Sequence, residues 1–154
     1  MSFTRRTLLK AAIAAPALAA LHAVPAVASV PAVYAEDGIA VDGTDVVAYF
    51  TQGAPVAGDP AIVYDWNGVT WRFASIENRD AFAADPTRFA PQYGGYCAWA
   101  VSEGYTASTT PEAWRIVDDK LYLNYSRRIQ RRWEKDIPGR ITSGDAQWPR
   151  LIAE

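Results

Sequence analysis

The sequence predicts an α+β fold, a small antiparallel sheet of two hairpins with short helices packed on it. Three observations lead there. Residues 61–66 and 69–73 are rich in β-branched and aromatic side chains and flank Asn67-Gly68, a pair suited to the positive φ angles of a type I′ turn. Residues 113–117 and 121–125 repeat the pattern about Asp118-Asp119-Lys120. Each hairpin is followed by a serine, Ser75 or Ser126, placed to cap a helix. The two halves share this order without enough identity to make a repeat.

The first 35 residues stand apart. Thr4-Arg5-Arg6-Thr7-Leu8-Leu9-Lys10 is a twin-arginine motif leading into an Ala/Leu run. Ala26-Val27-Ala28 before Ser29 is a small-residue cleavage site, and Val33-Tyr34-Ala35 before Glu36 is the alternative. The apolar run is too short and too alanine-rich for a membrane span. The expected division is a signal peptide and leader over 1–35 and a single domain over 36–154. The domain would be exported to the periplasm by the twin-arginine route, with no integral span in the mature chain.

Removing the leader decides which chemistries remain. The only histidine, His22, and the only methionine, Met1, go with it. Of 15 basic residues, Arg5, Arg6 and Lys10 also go, which leaves 12 against 17 acidic ones and a formal charge of −5. A Ser-His-Asp or Cys-His pair then has no histidine. A Cys/His zinc site or a methionine-ligated Cu(I) site lacks its donors. No cofactor and no metal site are expected within one chain; a soft metal would have to be shared between chains. The single cysteine allows no intramolecular disulfide. Net negative charge and the absence of a basic run argue against a nucleic-acid partner.

Along the domain, residues 29–40 read as a flexible leader. Asp42-Gly43 is a turn pair, and Asp45 is placed to cap a helical turn that buries Val46, Tyr49 and Phe50. The other reading of Asp42 and Asp45 is a pair of carboxylates facing a site. Residues 51–60 form a Gly/Pro loop. After Ser75 a helix would present Ile76, Phe82 and Ala83 as its apolar stripe. Asp85-Pro86 supplies a cap and a first helical residue for a short turn with Phe89.

Tyr93-Gly94-Gly95-Tyr96-Cys97-Ala98-Trp99 concentrates the cysteine, two glycines and three aromatics in seven residues. A helix starting after the glycines and running towards Gly104 would put Cys97 in its first turn. There, free N–H groups and the helix dipole favour a thiolate. Burial among Tyr93, Tyr96 and Trp99 opposes it. Cys97 is the candidate catalytic residue. Gly94 and Gly95 are candidates to hold the thiolate, and Tyr93, Tyr96 and Trp99 to shape its pocket. A small buried apolar residue is the alternative reading of Cys97. No Lys, Arg or His lies between Arg88 and Arg115, so a supporting cation would come from Arg72 or from the helix after Ser126. That helix, expected over 127–137, sets Ile129, Trp133 and Ile137 on one face and Arg127, Arg128, Arg131 and Arg132 on its solvated faces. Pro138-Gly139 is expected to stop it, and residues 141–151 to form a last short helix docking Trp148.

The hairpin Tyr-Asp-Trp-Asn-Gly-Val-Thr-Trp-Arg-Phe-Ala-Ser and the helix from Asn78 to Pro86 resemble the YHS domain. With the segment from Gly43 to Phe50, the Cys97 motif and the hairpin from Trp114 to Asn124, the chain after its leader resembles the exported bacterial YHS domain-containing (seleno)protein family. The resemblance implies a YHS-like fold. Some members carry selenocysteine, and the counterpart here is Cys97, which implies redox or nucleophilic chemistry at that position. Some YHS domains are associated with heavy metals through cysteines of the hairpin–helix block. This block has none, with Ser75 and Asn78 in the region. The function expected is a periplasmic protein with one functional thiol, redox- or peroxide-related, completed by an external thiol reductant because no resolving cysteine exists. The alternative is a non-catalytic small-molecule or soft-metal binding module of the cell envelope.

Overall fold

The structure, a computed structural model, describes residues 29–153. The twin-arginine motif and the cleavage site after Ala28 lie outside the described residues. The fold is mixed α/β, with a four-stranded sheet, a separate two-stranded sheet and six α-helices among the described residues.

Strands β3 (Asp59–Trp66) and β4 (Val69–Phe73) form the first expected hairpin. Asn67 and Gly68 close it with φ of 53° and 80°, the double positive of a type I′ turn. Two short strands join it, β1 (Ala35–Glu36) and β2 (Ile39–Ala40), in the order β1-β2-β4-β3. β2 runs parallel to β4 through Ile39 and Thr70, so the sheet is mixed and not purely antiparallel. The second hairpin, β5 (Trp114–Val117) and β6 (Lys120–Leu123), makes its own two-stranded sheet. Its turn has two residues, Asp118 and Asp119, both at positive φ, and Lys120 already pairs with Val117.

The expected flexible leader is instead part of the packed domain. Val33 and Tyr34 are buried, Val30 N–H donates to the Leu151 carbonyl, and Tyr34 N–H donates to that of Gly94. The segment has few polar side chains to keep it in water, and its burial completes the wall beside the Gly94 turn.

Helices start where side-chain chemistry starts them. Helix α1 (Ala48–Thr51) follows Asp45, whose Oδ1 accepts from Val47 and Ala48 N–H at 2.9 and 3.2 Å. Its Oδ2 accepts from Ala74 N–H at 2.8 Å and Asn78 Nδ2 at 2.7 Å. Asp45 is fully buried, so its role is that of a cap that also ties β4 to the next helix. Asp42 takes the Tyr34 hydroxyl at 3.0 Å, and burial raises its pKa.

Ser75 Oγ accepts from Asn78 N–H at the start of α2 (Ile76–Ala84). Only Phe82 of the expected stripe is buried, and Ile76 is 54% exposed. Phe82 is the centre of an aromatic cluster with Tyr64, Trp66, Trp71 and Phe73, ring centroids 5.0–6.1 Å away. Asp85 and Pro86 start α3 (Pro86–Phe89) as expected.

Helix α4 (Ala98–Ser102) is shorter than expected. Ser126 caps α5 (Arg127–Trp133), which ends four residues early. Pro138-Gly139 does not stop a helix but opens one. Asp136 accepts from Gly139 N–H, Pro138 sits in the first turn, and α6 (Ile137–Ile152) is the longest helix of the described residues. It runs against α4 and carries Trp148 onto Tyr93 and Tyr96, as expected for that residue. Among the described residues, no helix is long and apolar enough to cross a membrane.

Candidate functional site

The chain between α3 and α4 turns sharply. Tyr93, Gly94 and Gly95 have φ of 56°, 60° and 87°, three successive left-handed residues. A Cβ on Gly94 would lie 1.9 Å from the Ala32 carbonyl oxygen, and one on Gly95 would lie 2.5 Å from Val41 Cγ1. The two glycines are therefore needed for close packing against residues 32 and 41. The N–H groups near the sulfur belong to other residues.

Cys97 follows as the N-cap residue of α4, one position before its first turn. It is 1% exposed. Its Sγ accepts from Tyr125 N–H at 3.3 Å and lies 3.7 Å from Asn124 Oδ1, to which the thiol donates. The Trp99 and Ala100 N–H groups of α4 also favour the thiolate. Burial outweighs these three amides and pushes the thiol above its ordinary value. Of the two opposing influences expected on the thiol, burial is the stronger. No cation contributes among the described residues; Arg72 and the α5 arginines do not supply one.

Asn124, fully buried at the end of β6, holds this arrangement together. Its Oδ1 accepts from Trp99 N–H at 3.1 Å, which caps α4 in place of a Cys97 side-chain oxygen. That bond fixes the amide's orientation. Its Nδ2 finds no acceptor among the described residues. Such a buried donor costs about 1–3 kcal/mol and calls for a reason.

A pocket of about 230 Å³ opens over the sulfur, walled by Trp99, Ala100, Tyr105, Ala107, Tyr125 and Ile129. Tyr105 and Tyr125 stand half exposed at its rim. Trp99 is held from behind by Arg140, whose guanidinium lies 3.7 Å from the ring centroid and bonds to Ser102 Oγ and to the Glu103 carboxylate.

Of the residues singled out from sequence, the structure brings Cys97 and Trp99 together in this pocket. Tyr93 and Gly94 line a different cavity, and Gly95 and Tyr96 line neither. Tyr96 packs on Tyr34 and Trp148. Burial, then its bond to Asp145, raises the pKa of the Tyr93 hydroxyl. The pocket residues that sequence reasoning missed, Tyr105, Ala107, Tyr125 and Ile129, come from a polar loop, a strand end and α5. The one signal that could have pointed to them is the two tyrosine rings, which are exposed in polar surroundings.

No family model matches the chain. Comparison with curated proteins and with solved structures gave no similar protein. The functional reading therefore rests on the site itself.

Proposed function

We propose that this is an exported thiol protein in which Cys97 is oxidised by a small peroxide and restored by an external thiol. The observation that carries this reading is the sulfur at the floor of an apolar pocket, with backbone N–H groups and the Asn124 amide gathered around it. In the first step the sulfur attacks the distal oxygen of a hydroperoxide. The O–O bond breaks, the S–O bond forms, and the thiol proton ends on the leaving alkoxide, so that Cys–SH and ROOH give Cys–SOH and ROH. An external thiol then displaces water to give a mixed disulfide, and a second thiol releases Cys97 with formation of an external disulfide. The Tyr125, Trp99 and Ala100 N–H groups favour the thiolate from which the attack starts, and the negative charge passes to the leaving oxygen as the O–O bond breaks. Asn124, whose Oδ1 accepts from the thiol, also carries the partnerless Nδ2 donor.

The YHS-like fold, membership in the exported (seleno)protein family and periplasmic location belong to the same proposal. Cleavage after Ala28 fits it better than cleavage after Ala35. The later cut would remove the buried Val33 and Tyr34 and half of β1.

A binding module without redox chemistry is the second reading, favoured by the burial that keeps the thiol protonated. A soft metal bridging two chains is disfavoured by the burial of Cys97.

The test is alkylation of Cys97 against pH in the folded domain, together with trapping of sulfenic acid by a dione after treatment with an alkyl hydroperoxide. Cys97→Ser is the blank. The expected result is slow alkylation at neutral pH but a trapped adduct after peroxide. A thiol inert to both reagents up to about pH 9, and reactive only after unfolding, would identify a buried structural cysteine and overturn the proposal.

A further inference from the structure

A second cavity, of about 470 Å³, lies between the β3–β4 turn and α6, with the Ala90–Gly94 stretch and residues 32–33 between them. It shares no lining residue with the Cys97 pocket. Its volume lies in the range of small-molecule sites. We propose that it binds a small organic ammonium ion, with Asp145 as the counter-charge and the indoles of Trp66 and Trp148 as its walls.

The charge argument is direct. Among the described residues, Asp145 is the only charged side chain lining the cavity, and no lysine, arginine or histidine does so. The Tyr93 hydroxyl donates to Asp145 Oδ1 at 2.9 Å, which orients the carboxylate. A site of this composition repels anions, and a neutral ligand brings no charge to pair with the carboxylate.

The walls are rigid and aromatic. Trp66 stands edge-on to Phe82 at 5.8 Å and 84°, and its carbonyl accepts from Trp71 Nε1 at 3.0 Å. Trp148 is packed against Tyr93 with centroids 6.0 Å apart. Both indoles remain partly exposed. Indole faces attract organic cations through the ring quadrupole, and the carboxylate supplies the direct charge partner. The formal −5 of the chain after its leader raises the local concentration of cations.

Calorimetric titration of the domain from Ser29 onward tests this with phenethylammonium, with its neutral isostere 2-phenylethanol, and with cellobiose as a neutral ring ligand. Phenethylammonium should bind with a Kd below about 10 mM, and 2-phenylethanol about tenfold more weakly or worse. Asp145→Asn keeps an acceptor for the Tyr93 hydroxyl and should reduce ammonium affinity about tenfold, with unchanged near-UV circular dichroism. Should that variant fail to fold, the ammonium-to-alcohol ratio in the unaltered protein and its decrease with added salt carry the test. Equal binding of ammonium and alcohol, tighter binding of cellobiose, an unchanged affinity in Asp145→Asn, or no binding of the ammonium ion would each overturn the proposal.

Discussion

Replacing Cys97 by serine should change how stability depends on pH, with a sign that reports which force governs the sulfur. Burial raises the thiol pKa in the folded state against the pull of the Trp99, Ala100 and Tyr125 amides. In the unfolded chain the thiol ionises near 8.5, as a free cysteine does, to within about one unit. Between the two values the unfolded state has released a proton that the folded state keeps. Stability must then fall as pH rises, by at most about 1.4 kcal/mol per pH unit. The contribution is present in full below the unfolded value and is lost as pH climbs towards the folded one. Urea unfolding with reductant, from about pH 7.5 to about pH 9.5, should show the native protein losing on the order of 1 kcal/mol relative to Cys97→Ser. The serine has no titration in this range, and the buried tyrosines are common to both proteins, so they cancel in the difference. A difference that stays flat, or grows in favour of the native protein as pH rises, would mean that the amides win and that burial does not control the thiol.

Two further substitutions test the frame around the site. Asp45→Ala leaves the Val47, Ala48 and Ala74 N–H groups and Asn78 Nδ2 without their acceptor inside the fold. It should cost about 3–5 kcal/mol in chemical denaturation, and a loss below about 1 kcal/mol would show that water replaces the carboxylate there. Gly94→Ala places a Cβ against the Ala32 carbonyl at positive φ and should cost about 2–4 kcal/mol, whereas Gly38→Ala, at positive φ in open space, should cost only about 1 kcal/mol. Equal losses at the two glycines would remove the close approach as the reason for Gly94.

What could be read from the sequence was local chemistry. Asn67-Gly68, Ser75, Asp85-Pro86 and Ser126 each act through groups within three residues of themselves, and each does in the structure what its type predicts. Asp136 followed by Pro138 is the same kind of start signal, but reading Pro138-Gly139 as a stop hid α6. Asp37-Gly38 turns between β1 and β2 inside the segment expected to be a flexible leader; strands of two residues carry no periodicity of their own. The parallel pairing of β2 with β4, and the division of the hairpins into two sheets, depend on tertiary packing that no local pattern records. The site followed the same rule. Cys97 was found because it is the only thiol, whereas the residues that wall its pocket are separated from it by 8 to 32 positions apart from Trp99 and Ala100.

The seven residues from Tyr93 to Trp99 stand between the two cavities. Their left-handed turn directs Tyr93 and Gly94 to one cavity, and the capping position of α4 directs Cys97 and Trp99 to the other. Helix α6 braces the segment along its length. Arg140 lies on Trp99 near the start of the helix, Asp145 takes the Tyr93 hydroxyl in the middle, and Trp148 covers Tyr93 and Tyr96 towards the end. Gly144 makes this approach feasible, since a Cβ there would lie 2.5 Å from the Tyr93 hydroxyl oxygen. The cluster of aromatics, glycines and cysteine is therefore accounted for by position. Its glycines admit neighbouring backbone and side chains, its tyrosines seat α6, and Cys97 and Trp99 alone face the pocket over the sulfur.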